Sequence, residues 1–423
     1  MTTESLGGTG RARASRVNMG TAIAIAVILL LVGLGGGYFL YSAVNPSKST
    51  STLQLTETGS SLLWPLVNKY WAPNYTAYNP NVVVATASTG SGTGQSDAEK
   101  ATVNIGASDG YVWNASKYGI VNLPVAISAQ LIWYNLPSVP STDHLHINGT
   151  ILAMIYMGLI TSWNNPLIEA AQNATVNADL NATSPEQITA DFRSDGSGDT
   201  FLFSSYCDES YAAWNYSYST GALEGLKDFG SAKFQAENGN TGMVSGVTGQ
   251  YGAISYIGIS YPVSGSGVNN AYLGDNNALS AAGGVSAANY VAPTAANISA
   301  DANLGLTNLN YAKFGLAVNL IQGGQTSNPV NITKGAGGTS PSAGGTTYPL
   351  VNLEYTLIKT SPTGSTVSAA ALHATVLFLE WATSYGNFAA SGVASAYIDG
   401  VHFLPLTSEV IGLDQQTLAA VTA

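Results

Sequence analysis

The stretch Arg193-Ser194-Asp195-Gly196-Ser197-Gly198-Asp199-Thr200-Phe201 carries the one arginine of this 423-residue chain beyond residue 16. Arginine is a permanently charged, fork-shaped donor that can pair with two oxygens of a carboxylate or phosphate at once. The apolar run at residues 188–192 predicts a strand before it, and the small residues after it predict a turn and a helix start. Backbone N–H groups at a helix start attract anions. The stretch therefore predicts a strand–turn–helix unit with an oxyanion pocket at its turn.

The same order of strand, Gly/Ser turn and helix occurs earlier in the chain, at Gly59 and at Gly90. Repeated strand–helix units are typical of α/β domains, whose ligands gather at the carboxyl ends of the strands. We therefore expect an α/β fold with its site at these turns.

Composition excludes several classes of protein. Only 9% of the residues are charged, and the formal net charge is −11, so the chain lacks the basic surface that nucleic acids or anionic membranes need. Cys207 is the one cysteine, which rules out an intrachain disulfide and a cysteine metal cluster, and we expect it to be buried. Neither a Walker A, an H-E-x-x-H nor an EF-hand pattern occurs, and we expect no metal or cofactor.

The amino-terminal segment predicts a membrane anchor or a signal. Residues 19–42 contain an uncharged apolar run long enough to cross a bilayer, and Arg11, Arg13 and Arg16 precede it. The positive-inside rule then puts residues 1–18 in the cytoplasm and the binding domain outside, after a Ser/Thr-rich stalk at residues 43–52. A signal cleaved near Gly20 is the alternative.

Eight N-x-S/T sequons lie beyond this segment, as an external glycoprotein requires. They are at Asn74, Asn114, Asn148, Asn173, Asn181, Asn215, Asn297 and Asn331.

Several landmarks together resemble the ligand loops of phosphate-binding proteins of ABC-type phosphate importers, in order and spacing. They are Gly59-Ser60-Ser61-Leu62, Thr89-Gly90-Ser91-Gly92, Gly106-Ala107-Ser108-Asp109, the Arg193 stretch, and Gly239-Asn240-Thr241-Gly242 with Tyr348-Pro349-Leu350. The resemblance covers nearly everything from residue 53 to residue 423. It implies a two-lobed type II periplasmic-binding-protein-like fold with a hinge, with lobe I at residues 53–130 and 352–423 and lobe II at residues 131–351.

The resemblance also implies a function and a site. The chain would be a monomeric, non-enzymatic, extracellular receptor that hands inorganic phosphate to a membrane permease. Asp109 would accept the proton of a protonated phosphate, Arg193 would make the paired contact, and Asp195 would orient Arg193. The remaining implied anion contacts are the hydroxyls of Ser61 and Ser91, the Leu62 backbone N–H, and Ser197 and Gly198.

Asp199 departs from the family pattern, because a hydroxyl residue that binds the anion usually stands there, with Thr200 following. A carboxylate facing phosphate is costly unless a proton lies between them. Three interpretations stay open. Asp199 turns away as a helix N-terminal acid, it accepts a second proton and suits the site to dihydrogen phosphate, or the ligand is not phosphate.

The sequence is compatible with two other functions. A cell-surface glycoprotein of the same fold, with another oxyanion or none, fits the Gly/Asn-rich segments. Residues 106–110 also match the G-x-S-x-G elbow of serine hydrolases, which would need Ser108 as nucleophile and a base such as His402.

Overall fold

The computed structural model describes residues 52–182, 187–211, 213–214, 233–274, 290–307, 347–383, 398 and 400–421. All of them belong to the compact unit that begins at Thr52. The predicted anchor at residues 19–42 lies outside the described residues, as does the stalk up to residue 51. Among the helices that are described, none is long and apolar enough to cross a membrane.

The described residues contain twelve strands in two sheets. The strands are β1 (Leu53–Gly59), β2 (Val82–Ser88), β3 (Ile105–Ser108), β4 (Ile120–Asn135), β5 (His146–Ile147), β6 (Thr189–Arg193), β7 (Lys233–Glu237), β8 (Ala253–Gly258), β9 (Val268–Asn270), β10 (Tyr272–Gly274), β11 (Tyr290–Val291) and β12 (Val351–Lys359). The large sheet has the order β2-β1-β3-β12-β4-β8-β6-β7, with β9 also paired to β4, and the small sheet has the order β11-β10-β5.

Helices alternate with these strands. The α-helices are α1 (Trp64–Leu66), α2 (Ala72–Tyr78), α3 (Ser91–Lys100), α4 (Gly149–Tyr156), α5 (Pro166–Glu169), α6 (Ala174–Asn181), α7 (Gly198–Ser210), α8 (Gly239–Gly249), α9 (Ala295–Thr307), α10 (Ala369–Thr383) and α11 (Ser408–Ala419). A π-helical turn (Val67–Trp71) joins α1 to α2. Strand β1 is parallel to β2 and β3, and β6 is parallel to β7 and β8. Parallel neighbours need crossover connections, which the helices supply. The α/β class predicted from the sequence is confirmed.

Strand β4 organises the large sheet because it changes partner along its length. Its residues 120–129 pair with β12, and its residues 130–134 pair with β8. Strand β3 runs in the direction of β4, since both are antiparallel to β12, whereas β8 and β6 run against it. The carboxyl ends of β3 and its parallel neighbours therefore meet those of β6 and β8 near the middle of β4.

Helix α3 packs on the strands almost backbone to backbone. A Cβ atom on Gly94 would lie 2.2 Å from the Ala107 carbonyl oxygen, and one on Gly106 would lie 2.2 Å from the Gly94 carbonyl oxygen. Glycine at both positions lets the helix approach the sheet closely. The turns that precede α3 and follow β3 are thereby held side by side.

Two sequence expectations concern burial. Cys207 is fully buried in α7, as predicted. The sequon at Asn148 is buried as well, and the Asn148 side chain accepts a hydrogen bond from the Ile151 N–H at 2.9 Å, capping α4. A glycan on Asn148 is incompatible with this packing, so this sequon serves the helix cap.

Candidate functional site

The candidate site lies where the two groups of strand ends meet. The turns after β1, β2 and β3 come from one side, and the turns after β6 and β7 come from the other. They touch directly, since the Gly92 N–H donates to the Gly196 carbonyl at 2.9 Å. The sequence-predicted residues are thus brought together from both ends of the large sheet.

Helix α7 supplies the N–H groups of the site. Ser197 is its N-cap, and the Ser197 Oγ accepts from the Thr200 N–H at 3.2 Å. The first N–H groups of a helix have no acceptor within the helix and carry the positive end of its dipole. Ser197 is fully buried, and its hydroxyl proton remains available to an anion.

Arg193 ends β6 and is 1% exposed. Its Nε and Nη2 donate to the two carboxylate oxygens of Asp195 at 2.6 and 2.5 Å. Its Nη1 donates to Asp199 Oδ2 at 2.7 Å. Burial alone would lower the pKa of Arg193, but the bonds to these two carboxylates raise it above its ordinary value. The guanidinium is therefore fixed in place and charged.

Asp109 follows β3 and is buried against the start of α7. Its Oδ1 accepts from the Ser60 hydroxyl, and its Oδ2 accepts from the Ser91 hydroxyl at 3.0 Å. A Cβ atom on Gly198 would lie 2.6 Å from Asp109 Oδ2. The carboxylate of Asp109 consequently points at the helix N-terminus, and the Ser91 hydroxyl is directed at Asp109.

The turn after β1 reaches across to the other strand ends through Ser61. Asn240 donates its Nδ2 to the Ser61 Oγ at 2.9 Å, and Tyr261 donates its hydroxyl to the Ser61 carbonyl at 2.9 Å. The neighbouring Leu62 side chain is buried, and a Cβ atom on Gly258 would lie 2.3 Å from its Cδ1. Leu62 thus anchors the turn by packing, and its carbonyl accepts from the Ser260 hydroxyl at 2.8 Å.

Asp199 faces Arg193 rather than solvent. Its Oδ2 also accepts from Asn240 Nδ2 at 2.6 Å, and its Oδ1 accepts from Gln130 Nε2 at 3.2 Å. Burial, followed by the charge of Asp109, raises the pKa of Asp199 to about 7, although Arg193 opposes this shift. Asp199 is therefore in the first turn of α7, where it stabilises the dipole, and is at the same time the second partner of the arginine.

Buried residues that contact the site and were not predicted as members of it include Ser60, Gln130, Asn240 and Glu354. Ser60 and Asn240 stood inside landmarks quoted for the resemblance, so their position could have identified them. Nothing local marks Gln130 or Glu354, because each reaches the site through strand pairing over long sequence separations.

Ser108, the nucleophile that a serine hydrolase would need at the G-x-S-x-G pattern, forms hydrogen bonds within its own turn and with a neighbouring helix. The Ser108 hydroxyl donates to the Gly110 carbonyl at 2.6 Å and accepts from Gln95 Nε2 at 3.1 Å. His402 is exposed and adopts a left-handed backbone conformation with φ of 60°. Neither residue shares a hydrogen bond with the other in the described part of the chain. The turn at residues 106–110 instead positions Asp109.

Known proteins share this architecture and part of this sequence. The sequence model of a family described as a PBP superfamily domain matches residues 45–391. The phosphate-binding protein PstS of Xylella fastidiosa is 30% identical over 223 residues, which is 52% of this chain and 57% of that protein. The phosphate-binding protein PstS of Haemophilus influenzae is 31% identical over 49% of this chain and 58% of its own length. The chain spans a little more than half the length of these relatives.

Solved structures show the same fold at lower identity. A phosphate-binding protein from Stenotrophomonas maltophilia superposes with a TM-score of 0.54 at 17% identity, covering 86% of this chain and 93% of its own. A putative phosphate ABC transporter substrate-binding protein from Clostridium perfringens, solved with bound phosphate, gives 0.51 at 15% identity, covering 84% and 100%.

Proposed function

Since this chain belongs to the PBP superfamily, we propose that it captures inorganic phosphate outside the cell and delivers it to an ABC-type importer. One observation carries the proposal. A fixed arginine, a buried carboxylate and the N-terminus of α7 converge from opposite strand ends on one point. Hydroxyls, N–H groups and a guanidinium can replace the water around an anion without any covalent step.

The proposal includes two lobes that close on the anion. Lobe I comprises residues 53–130 and 352–423, and lobe II comprises residues 131–351. The change of partner in β4 between residues 129 and 130, and the start of β12 at Val351, support a hinge at these points. Closure of two domains around a ligand excludes the remaining water.

Arg193, held by Asp195, is proposed to make the paired contact with two phosphate oxygens. From lobe II, the Ser197 hydroxyl and the N–H groups of Gly198 and Asp199 bind the same anion, and Thr200 lies behind them, bonded to Ser197 and Tyr256. From lobe I, the Ser61 hydroxyl and the Leu62 N–H bind it, whereas the Ser91 hydroxyl donates to Asp109 and acts on the anion through that carboxylate. Such contacts to a charged ligand contribute about 1.5–3 kcal/mol each.

Asp109 is proposed to give the site its selectivity. A buried carboxylate accepts a hydrogen bond from a protonated phosphate and repels sulfate, which has no proton to donate. The hydroxyls of Ser60 and Ser91 both donate to Asp109 and hold its carboxyl group in place for this role. Relatives named phosphate-binding proteins support the choice of anion.

The cellular setting belongs to the proposal too. Residues 19–42 would anchor the protein, with residues 1–18 inside and the binding domain outside as a glycoprotein monomer. A permease in the same membrane would receive the phosphate. The uncharged run after Arg11, Arg13 and Arg16 supports this orientation.

Calorimetric titration with phosphate and with sulfate tests the function. We expect phosphate to bind and sulfate to be ignored, and we expect Asp109→Asn to weaken that discrimination about tenfold or more. An Asp109→Asn protein with the parent's preference would refute the role of Asp109. Absence of heat with either anion would instead point to another oxyanion or to a surface glycoprotein without a ligand.

A further inference from the structure

Glu354 lies directly behind Asp109 in the sheet. Antiparallel pairing sets Thr356 opposite Ala107 and Tyr355 opposite Ser108, and Glu354, one residue before Tyr355, lies within hydrogen-bonding reach of the Asp109 side chain. Both residues are buried. Two carboxyl groups are therefore opposed inside the protein.

The donors around this pair are unevenly distributed. Both oxygens of Asp109 accept serine hydroxyls. The Ser128 hydroxyl donates to Glu354 Oε1 at 2.5 Å, but Glu354 Oε2 is buried and has no donor among the described residues. Two opposed carboxylates in such a site repel each other strongly unless one of them holds a proton. The atom that lacks a donor, Glu354 Oε2, is the place where a proton resolves the conflict.

We propose that Glu354 is a positioning residue: as a neutral carboxylic acid it donates a hydrogen bond to Asp109 and holds that carboxylate aimed at the anion. This inference rests on the proposed capture of phosphate and adds a further determinant of selectivity to it. Glu354 does not touch the anion itself. It acts through Asp109, as the groups behind a metal ligand or a catalytic histidine do.

The charged groups that face Glu354 all favour its neutral form. They are Asp109 on the turn after β3 and Asp199 on α7, while Ser128 on β4 contributes only its hydroxyl. Burial, followed by the charge of Asp109, raises the pKa of Glu354 well above its ordinary value. The Ser128 bond opposes this shift without reversing it.

Two substitutions of Glu354 distinguish a role in positioning Asp109 from a role in packing alone. Glu354→Gln keeps a donor toward Asp109 and an acceptor for Ser128, but it removes the carboxylic acid. Glu354→Leu removes the donor, so the carboxylate of Asp109 loses one of the hydrogen bonds that fix its direction, while the Ser60 and Ser91 bonds remain. A misdirected Asp109 carboxylate accepts the proton of phosphate less well and discriminates less against sulfate.

The experiment measures the ratio of phosphate to sulfate affinity by calorimetry and the carboxylic-acid C=O band by infrared difference spectroscopy at pH 7. We expect the band of the parent to lose intensity in Glu354→Gln. The affinity ratio should fall about tenfold or more in Glu354→Leu and much less in Glu354→Gln. Glu57→Gln and Glu57→Leu are matched controls, because Glu57 is another buried glutamate in the sheet. They should leave the affinity ratio at the parent's value.

The inference is overturned if Glu354→Gln removes no carboxylic-acid band. It is equally overturned if Glu354→Leu folds, binds phosphate and keeps the parent's affinity ratio. If the parent protein itself binds no phosphate, the proposed function fails, whereas the infrared difference still decides whether Glu354 holds the proton.

Discussion

The Arg193 Nη1 and Asp199 Oδ2 atoms lie 2.7 Å apart in an ion pair that is nearly excluded from solvent. The opposite side of the same guanidinium is already bound by Asp195. An anion that contacts Arg193 must therefore share the guanidinium with the Asp199 carboxylate, unless Asp199 takes up a proton and loses its negative charge. This relationship makes the protonation of Asp199 the first property to test.

We expect the affinity for phosphate to fall as the pH rises through about 7, the pKa to which burial and Asp109 raise Asp199. Below that pH the Asp199 carboxyl is neutral and does not compete, whereas one unit above it the competition weakens binding about tenfold. Asp199→Ser should restore a hydroxyl and raise the affinity at pH 8 by that factor.

Calorimetry in buffers of different ionisation enthalpy would count the protons taken up with phosphate. Phosphate itself titrates in this pH range and affects both proteins equally. The quantity to compare is therefore the phosphate affinity of the parent divided by that of Asp199→Ser at each pH. Glu409→Gln is the control, since Glu409 is an exposed acid in the first turn of α11. A ratio that stays constant with pH would refute the competition.

Arg193 should not tolerate replacement by lysine. Lysine keeps the charge but loses the fork that binds both oxygens of Asp195, so we expect Arg193→Lys to cost about 2–4 kcal/mol of phosphate affinity. Arg193→Ala leaves the buried carboxylate of Asp199 and the half-buried carboxylate of Asp195 without their partner and should also destabilise the fold by about 3–5 kcal/mol. Titration calorimetry and thermal unfolding of both variants measure the two effects. Parent-like affinity in Arg193→Lys would contradict the paired contact.

Gly198→Ala should weaken binding without unfolding the protein. The added Cβ atom would lie 2.5 Å from Asp109 Cβ, so the start of α7 and the turn after β3 must move apart. We expect a loss of phosphate affinity of about tenfold or more, since polar contacts on both sides lengthen together. Gly412→Ala is the matched control, because nothing lies within 4 Å of a Cβ atom there. Equal affinities in the two variants would show that this contact is not needed.

Stability should increase as the pH falls from about 9 to 5. Burial raises the pKa of Glu57 and of Asp191 to about 8 in each case, with the charge of Glu237 adding to the shift of Asp191. Because these pKa values exceed those of the unfolded chain, protonation favours the folded state, and this stability is lost as the pH rises through about 8. Thermal unfolding across this range should show it.

Glu57→Gln and Asp191→Asn should each flatten the pH dependence of the unfolding temperature. Each pKa unit between the folded and unfolded states corresponds to about 1.4 kcal/mol. Asp97→Asn serves as the control, because Asp97 lies on the exposed part of α3, where its carboxylate accepts from Thr102. If the unfolding temperature of both test variants changed with pH as steeply as that of the parent, Glu57 and Asp191 would not be the groups responsible.

The sequence was sufficient for the α/β class and for the turns that converge at the site. Strand, turn and helix signals are local, and Gly106, one of the two glycines that allow α3 to approach the sheet, stands inside a quoted landmark. The three interpretations of Asp199 could not be separated, because the direction of its side chain depends on Gln130 and Asn240. Gln130 lies 69 residues from Asp199 in the chain, and Asn240 lies 41 residues from it.

The environment of Asp109 shows the same limit more clearly. Its serine partners stand in turns that the sequence singles out. Glu354, in contrast, comes within reach of Asp109 only because β12 inserts between β3 and β4. The Ser128–Glu354 bond joins residues 226 positions apart. No periodic pattern near residue 354 predicts that β12 pairs with β3 and β4, because this pairing depends on the assembled sheet.

The charge around Arg193 also determines how an anion arrives. One guanidinium touches two carboxylates, in a chain whose formal net charge is −11. An approaching anion therefore experiences repulsion at a distance and attraction only on contact. Salt should accelerate association by screening that repulsion, the reverse of its effect on proteins that steer anions with basic clefts. Such a receptor would capture its ligand by short-range recognition after an unassisted diffusional encounter.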